Sequence, residues 1–186
     1  MKLIKFFLII FIYLIKSVKV YSNEEVINKV KEGGKIIFIR HAYAPGNGDP
    51  SNFDINDCST QRNLSEEGRK QAVLIGLLFR KYDIPIDEVI SSEWCRCKET
   101  ASIAFKGKYK KNFFLNSFYE EKFLKNKTEQ IKELKEYVNK WNGKKNLIFV
   151  THYVVISEIL NVYPSSGEIV ISDKNYKVIG KLNNNL

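Results

Sequence analysis

The chain has 186 residues, 44% of them hydrophobic and 27% charged, with a formal charge of +9. That length supports one domain with its own core, and the composition excludes a disordered chain. The charge does not describe a nucleic-acid surface: Lys2, Lys5, Lys16 and Lys19 lie in the first 22 residues, the remainder carries only +5, and no basic stripe is interleaved with aromatics.

Residues 1–5 make a short basic head and residues 6–15 an unbroken apolar run. Val20 and Ser22 then offer the small residues a signal peptidase wants before its cut. The run is short for a bilayer span. The expectation is a cleaved export signal over residues 1–22 and a mature domain over 23–186, with a retained anchor, and hence membrane association, as the alternative. Export implies an oxidising compartment, most simply a periplasm. Of the three cysteines at least one is left unpaired within the chain; a disulfide from Cys58 to either Cys95 or Cys97 is possible in such a compartment, and the sequence decides neither which nor whether one forms. No CxxC or HExxH occurs, so no metal or other cofactor is expected.

In chain order, residues 23–31 read as a helix leading to the Gly33–Gly34 turn. Ile36 to Ile39 follow as a buried strand running into Arg40 and His41. Residues 43–63 form a long polar loop, placed to rim whatever lies at that strand end. Ser65 is a helix N-cap with Glu66 and Glu67 in the first turn; Ala72, Ile75, Leu78, Phe79 and Tyr82 then recur at helical spacing. A short strand is predicted over 87–92, a helix over 94–104, a third strand at Phe113–Leu115, a loop over 116–127 and an amphipathic helix over 129–141. A second buried strand ends in Thr151 and His152, followed by a helix to about Leu160. A hairpin joins 169–172 to 177–182, and residues 183–186 are a frayed tail. Strand and helix alternate without a repeat or linker, which argues for a single three-layer α/β domain with a mostly parallel central sheet and helices on both faces.

The only two histidines in the chain each close a predicted buried strand. In open α/β sheets ligands bind at that edge. Arg40 and His41 leave one strand, Arg96 opens the helix after another, and His152 leaves a third. Guanidinium forks and helix amino ends suit phosphate oxygens, and an imidazole can attack phosphorus.

These residues resemble the histidine phosphatase (phosphoglycerate mutase-like) superfamily. Ile39–Arg40–His41–Ala42 looks like its Arg-His-Gly signature, with Ala42 replacing Gly. Leu64 to Gly68 with Gln71 and Ala72 is similar to the family's helix start. Ser91 to Ala101, with Arg96, Glu99 and Thr100, resembles its central segment, Thr151–His152 matches the second histidine, and Gly167–Glu168 is similar to a late strand start. Together, in the right order, these stretches cover most of the mature chain.

The resemblance implies that His41 is phosphorylated, that Arg40, Arg96 and His152 hold the phosphoryl group, and that Arg62 and Thr151 contribute to substrate binding. For the general acid Glu120 is preferred, with Glu121 beside it and Asp49, Asp54 and Asp57 as rivals. The expected activity is an exported, metal-independent phosphomonoesterase acting on a phosphorylated small molecule or envelope glycan. A non-catalytic phosphate-binding protein or a phosphohistidine protein phosphatase are the alternatives.

Overall fold

Ile36, Ile37, Phe38 and Ile39 are all buried, as a strand covered on both faces requires. This strand, β1 (Ile36–Arg40), sits inside a six-stranded sheet with β2 (Ile86–Ser91), β3 (Lys110–Lys111), β4 (Asn146–Thr151), β5 (Ile169–Ser172) and β6 (Val178–Leu182). The order is β3-β2-β4-β1-β5-β6, parallel from β3 through β1 and antiparallel at the β5–β6 edge. The computed structural model describes residues 22–182. The expected signal, except its last residue Ser22, and the expected frayed tail lie outside the described residues.

Alternation along each strand sorts the side chains into two cores. Ile37, Ile39, Ile148 and Val150 face one side, where α1 (Asn23–Lys31), α2 (Glu66–Lys81) and α3 (Cys95–Ala104) pack through Val30, Ile75, Leu78 and Ala101. Ile36, Phe38, Leu147 and Phe149 face the other, covered by α5 (Lys127–Lys140) and α6 (Tyr153–Leu160) through Leu134, Val138, Val155 and Ile156. A short helix, α4 (Glu121–Leu124), lies within the expected 116–127 loop. The result is the three-layer, mostly parallel α/β domain expected from the sequence.

One predicted element is corrected. Phe113–Leu115 is a 3-10 turn, and the strand beside β2 is the two-residue β3 before it. Asn112 accepts from the Phe114 N–H at 3.1 Å, which caps a turn, so Phe114 and Leu115 enter the core without joining the ladder. At the other end of the sheet Asn146, fully buried, donates to the carbonyls of Val30 (2.7 Å) and Pro85 (2.8 Å) and accepts from Lys35 N–H (3.1 Å).

The helix-start motif fixes the path of the chain after His41. Ser65 caps α2 by accepting from Gly68 N–H at 3.1 Å. The Tyr43 carbonyl lies so close to Gly68 that a Cβ there would sit 2.0 Å from its oxygen. Gln71 accepts from Tyr43 N–H (2.9 Å) and donates to the Ser166 carbonyl (2.7 Å), and Gly167, at φ +71°, leaves room for that side chain. Gly68→Ala is therefore expected to cost about 1–3 kcal/mol despite alanine's better helix propensity, because the clash is with backbone. Urea unfolding of the variant checks this; unchanged or raised stability would contradict the close approach.

Candidate functional site

Parallel pairing of β1 with β4 sets Arg40 beside Thr151, and His41 N–H donates to the Thr151 carbonyl at 2.9 Å. The residues just beyond the two strand ends are therefore neighbours: the imidazoles of His41 and His152 lie 5.4 Å apart, centroid to centroid, and each is 2% exposed. Around them closes a pocket of about 60 Å³ lined by Arg40, Arg62, Arg96 and Glu120 as well as both histidines. A larger hollow of about 600 Å³ lies at the other end of β2, among Phe79, Ile84 and Phe105, and contains neither histidine.

The hydrogen bonds assign the tautomers. His41 Nδ1 is 2.8 Å from the Ala42 carbonyl, which can only accept, so Nδ1 carries the hydrogen and Nε2 holds the lone pair. His152 is set through a relay. Glu93 accepts from Asn116 Nδ2 (2.8 Å) and its N–H donates to Asn116 Oδ1 (2.8 Å), which fixes the amide. That Oδ1 also accepts from the Ser92 hydroxyl at 3.0 Å. With its hydrogen committed, Ser92 Oγ accepts from His152 Nε2–H at 3.0 Å and from Trp94 N–H at 3.3 Å. The unprotonated nitrogen of His152 is thus Nδ1.

Burial, and then the charge of Arg96, hold both imidazoles well below the ordinary histidine pKa, so both are neutral at pH 7. Cys97, fully buried, places its sulfur 3.5 Å from His152 Nε2, and burial pushes its thiol up to about 12. It is a thiol, not a thiolate nucleophile.

Three arginines reach the pocket by different routes. Arg40 donates to the Pro164 carbonyl at 2.9 Å and lies 5.3 Å from the Tyr153 ring centroid; its Nε is buried without a partner among the described residues. Arg62 donates to the carbonyls of Gly48 (2.9 Å) and Ala44. Arg96 gives both terminal nitrogens to Asp49, at 2.8 and 3.1 Å, and keeps a buried Nε with no partner among the described residues. Asp49 also accepts from Arg62 N–H (2.9 Å) and Trp94 Nε1–H (3.0 Å). Burial would raise its pKa, but the hydrogen bonds and charge of Arg96 outweigh that and hold it below the ordinary value.

The acid candidates separate on geometry. Asp49 is committed to Arg96, while Asp54 and Asp57 sit in an exposed turn outside the pocket. Glu120 lines the pocket, accepting from Asp49 N–H at 2.9 Å and pairing with Lys122 at 3.1 Å. Glu121 begins α4 and is exposed. Thr151 is not on the pocket wall: its hydroxyl is spent on the Leu115 carbonyl at 2.6 Å, and only its backbone meets His41. The structure thus brings its backbone, and not its side chain, to His41.

Ala42, in the place of the usual glycine, is fully buried with φ outside the left-handed region, and its N–H donates to Thr100 Oγ1 at 3.0 Å, so a methyl group is no obstacle. Of the two pairings left open, Cys58–Cys95 is the disulfide and Cys97 is free. It ties the long loop to the residue before Arg96. Asp49 as the partner of Arg96, and the relay through Ser92, Asn116 and Glu93, are not found from the sequence; each joins residues far apart in the chain, and only the Ser92 segment carries a motif.

The family model of the histidine phosphatase superfamily (branch 1) matches residues 36–146. The chain belongs to the histidine phosphatase superfamily. It is 34% identical over 92 residues to the mitochondrial serine/threonine-protein phosphatase Pgam5 of Drosophila ananassae; that match spans 49% of this chain and 29% of the relative, so under a third of that protein is represented. The fold is shared with the protein histidine phosphatase SixA complexed with tungstate (TM-score 0.57, 13% identity, 81% of this chain and 97% of that one). It is also shared with phosphoglycerate mutase from Thermus thermophilus (TM-score 0.55, 14% identity, 80% and 98%).

Two outcomes are expected of this superfamily member's site. Asp49→Ala leaves Arg96 buried and unpaired, and should cost about 3 kcal/mol in urea unfolding; a loss below about 1 kcal/mol would mean that water already serves Arg96. The depressed imidazoles set the pH response. Unfolded histidines take up protons below about pH 6.5 while the folded pair stays neutral, so stability is full above that pH and falls below it. The expected slope is about 1 kcal/mol per pH unit per imidazole, roughly halved in His41→Gln; unfolding curves at pH 7 and 5 that coincide would refute it.

Proposed function

We propose that the protein is an exported phosphomonoesterase that passes its substrate's phosphoryl group to Nε2 of His41 and then to water. One observation carries the reading: His41, its Nδ1 committed to a carbonyl and its lone pair on Nε2, lines a pocket of phosphoryl size where three guanidinium groups converge, and two of their buried Nε donors lack partners among the described residues. Arginine donors suit the equatorial oxygens of a phosphoryl group in transfer.

In the first step the N–P bond forms as the ester P–O bond breaks, and the leaving oxygen takes a proton from Glu120. In the second, water gives its proton back to Glu120 and attacks phosphorus; the N–P bond breaks and phosphate leaves. The bound dianion favours a proton on His152, whose Nδ1–H then donates to a phosphoryl oxygen. Charge is neutralised by guanidinium and imidazolium, so no metal enters the scheme. Binding of tungstate, a tetrahedral oxyanion, to the SixA phosphatase of the same fold supports the choice of ligand.

Export is supported by the apolar run near the amino terminus and by the Cys58–Cys95 disulfide, which an oxidising compartment such as a periplasm would preserve. A cut after Ser22 would remove the cap of α1, whose side chain accepts from Glu25 N–H at 3.2 Å. We take the substrate to be a phosphorylated small molecule or glycan.

The purified protein should release phosphate from p-nitrophenyl phosphate, with or without chelator, and His41→Ala should lower kcat at least a thousandfold while remaining folded. Glu120→Gln should slow glycerol phosphate, whose leaving group needs a proton, far more than p-nitrophenyl phosphate, whose leaving group does not. Folded protein that binds phosphate but never turns over would establish the non-catalytic reading, and loss of activity with chelator would reinstate a metal.

A further inference from the structure

The pocket holds a phosphoryl group and little else, so the alcohol half of any ester must lie outside it. Of the residues lining the pocket only Gly46, Asn47 and Tyr119 are exposed, and they mark its mouth. Tyr119 is 46% exposed, and its ring meets that of Tyr153, also on the pocket wall, at 5.8 Å between centroids with the planes inclined by 60°. Both rings are braced. Asn47 donates to the Tyr119 hydroxyl at 3.3 Å, and the Arg40 guanidinium lies 5.3 Å from the Tyr153 centroid. None of the three exposed mouth residues carries a charge.

We propose that Tyr119, backed by Tyr153, is the leaving-group subsite, and that it selects monophosphate esters of ring-bearing alcohols. The proposal rests on the phosphomonoesterase reading above and adds the class of substrate. A phenol ring held at one edge and open to solvent offers a flat apolar surface next to the scissile bond. An arene or the C–H face of a pyranose lies on such a surface, whereas an acyclic polyol has no matching face.

The test compares kcat/KM for phenyl phosphate and for glucose 1-phosphate, each divided by that for glycerol phosphate, in the wild type, Tyr119→Ala and Tyr119→Phe. The exposed position lets both variants fold, which melting curves check. In Tyr119→Ala at least one ring-to-glycerol ratio should fall about fivefold or more, chiefly through KM, and Tyr119→Phe should restore it. A fall for phenyl phosphate alone assigns the subsite to aryl esters, and a fall for glucose 1-phosphate alone assigns it to sugar esters. Ratios that do not move, or that fall equally in Tyr119→Phe, overturn the proposal. Should the wild type hydrolyse no ester, the phosphomonoesterase reading fails, and calorimetric affinities for the same three esters then decide the subsite: equal affinities in wild type and Tyr119→Ala would reject it.

Discussion

Three guanidinium groups, from Arg40, Arg62 and Arg96, converge on two buried imidazoles, and the fold has to hold that charge before any anion arrives. Like charges a few ångströms apart near a protein surface repel by a few kcal/mol each. Two features offset this. The imidazoles stay neutral, and Asp49 places its carboxylate against Arg96 with both side chains 4% exposed. Asp49 does more than cancel a charge. By taking both terminal nitrogens of Arg96 it fixes the plane of the guanidinium and leaves Nε as the free donor. Three guanidinium groups against the one carboxylate of Asp49 leave the pocket with a positive excess. A phosphoryl dianion would offset that charge and make a proton on His152 favourable, so in the proposed reaction the ligand itself completes the donor set.

Much of this was legible from the sequence because the signals were local and strong. Unbroken apolar runs such as Leu147 to Val150 are read as buried strands from a few neighbours, and β4 is buried along its whole length. The chemistry follows each run directly, as Arg40 and His41 or as Thr151 and His152. Phe113–Leu115 shows the limit. An apolar triplet is equally suited to a strand or to a core-facing turn, and Asn112 decides for the turn with one side-chain hydrogen bond. Asp49 lies in a polar loop among several acidic residues, and nothing in its neighbourhood announces an arginine 47 positions away. Thr151 shows the opposite case: it adjoins a histidine of the pocket wall, but strand alternation turns its hydroxyl toward Leu115.

The motif residues divide into those that touch the pocket and those that aim it. Gly68, Gln71, Thr100 and Gly167 are absent from its wall. Gly68 and Gly167 let backbone and side chain approach more closely than a Cβ would permit. Gln71 stitches the segment after His41 to the one before β5. Thr100 accepts from Ala42 N–H and donates to the Arg96 carbonyl at 2.7 Å, linking the strand that ends at His41 to the helix that carries the arginine. A sizeable part of the family pattern therefore encodes the relative placement of two chain segments rather than a reacting group.

The two histidines illustrate how far placement determines chemistry. Both are buried, both are depressed by the same causes, and the electrostatics alone give no reason to prefer either as nucleophile. Their hydrogen bonds distinguish them. His41 gives its Nδ1 hydrogen to the carbonyl of the next residue, a contact that depends only on how the strand leaves the sheet. His152 gives its Nε2 hydrogen to Ser92, and that choice depends on Asn116 and, behind it, on the carboxylate of Glu93. One imidazole therefore keeps its lone pair on Nε2 and the other on Nδ1, from equivalent positions at the ends of adjacent parallel strands. An asymmetric pair is what a transfer reaction needs, since one ring must offer electrons to phosphorus while its neighbour becomes a donor to the oxygens. The asymmetry comes from second neighbours, not from the histidines themselves.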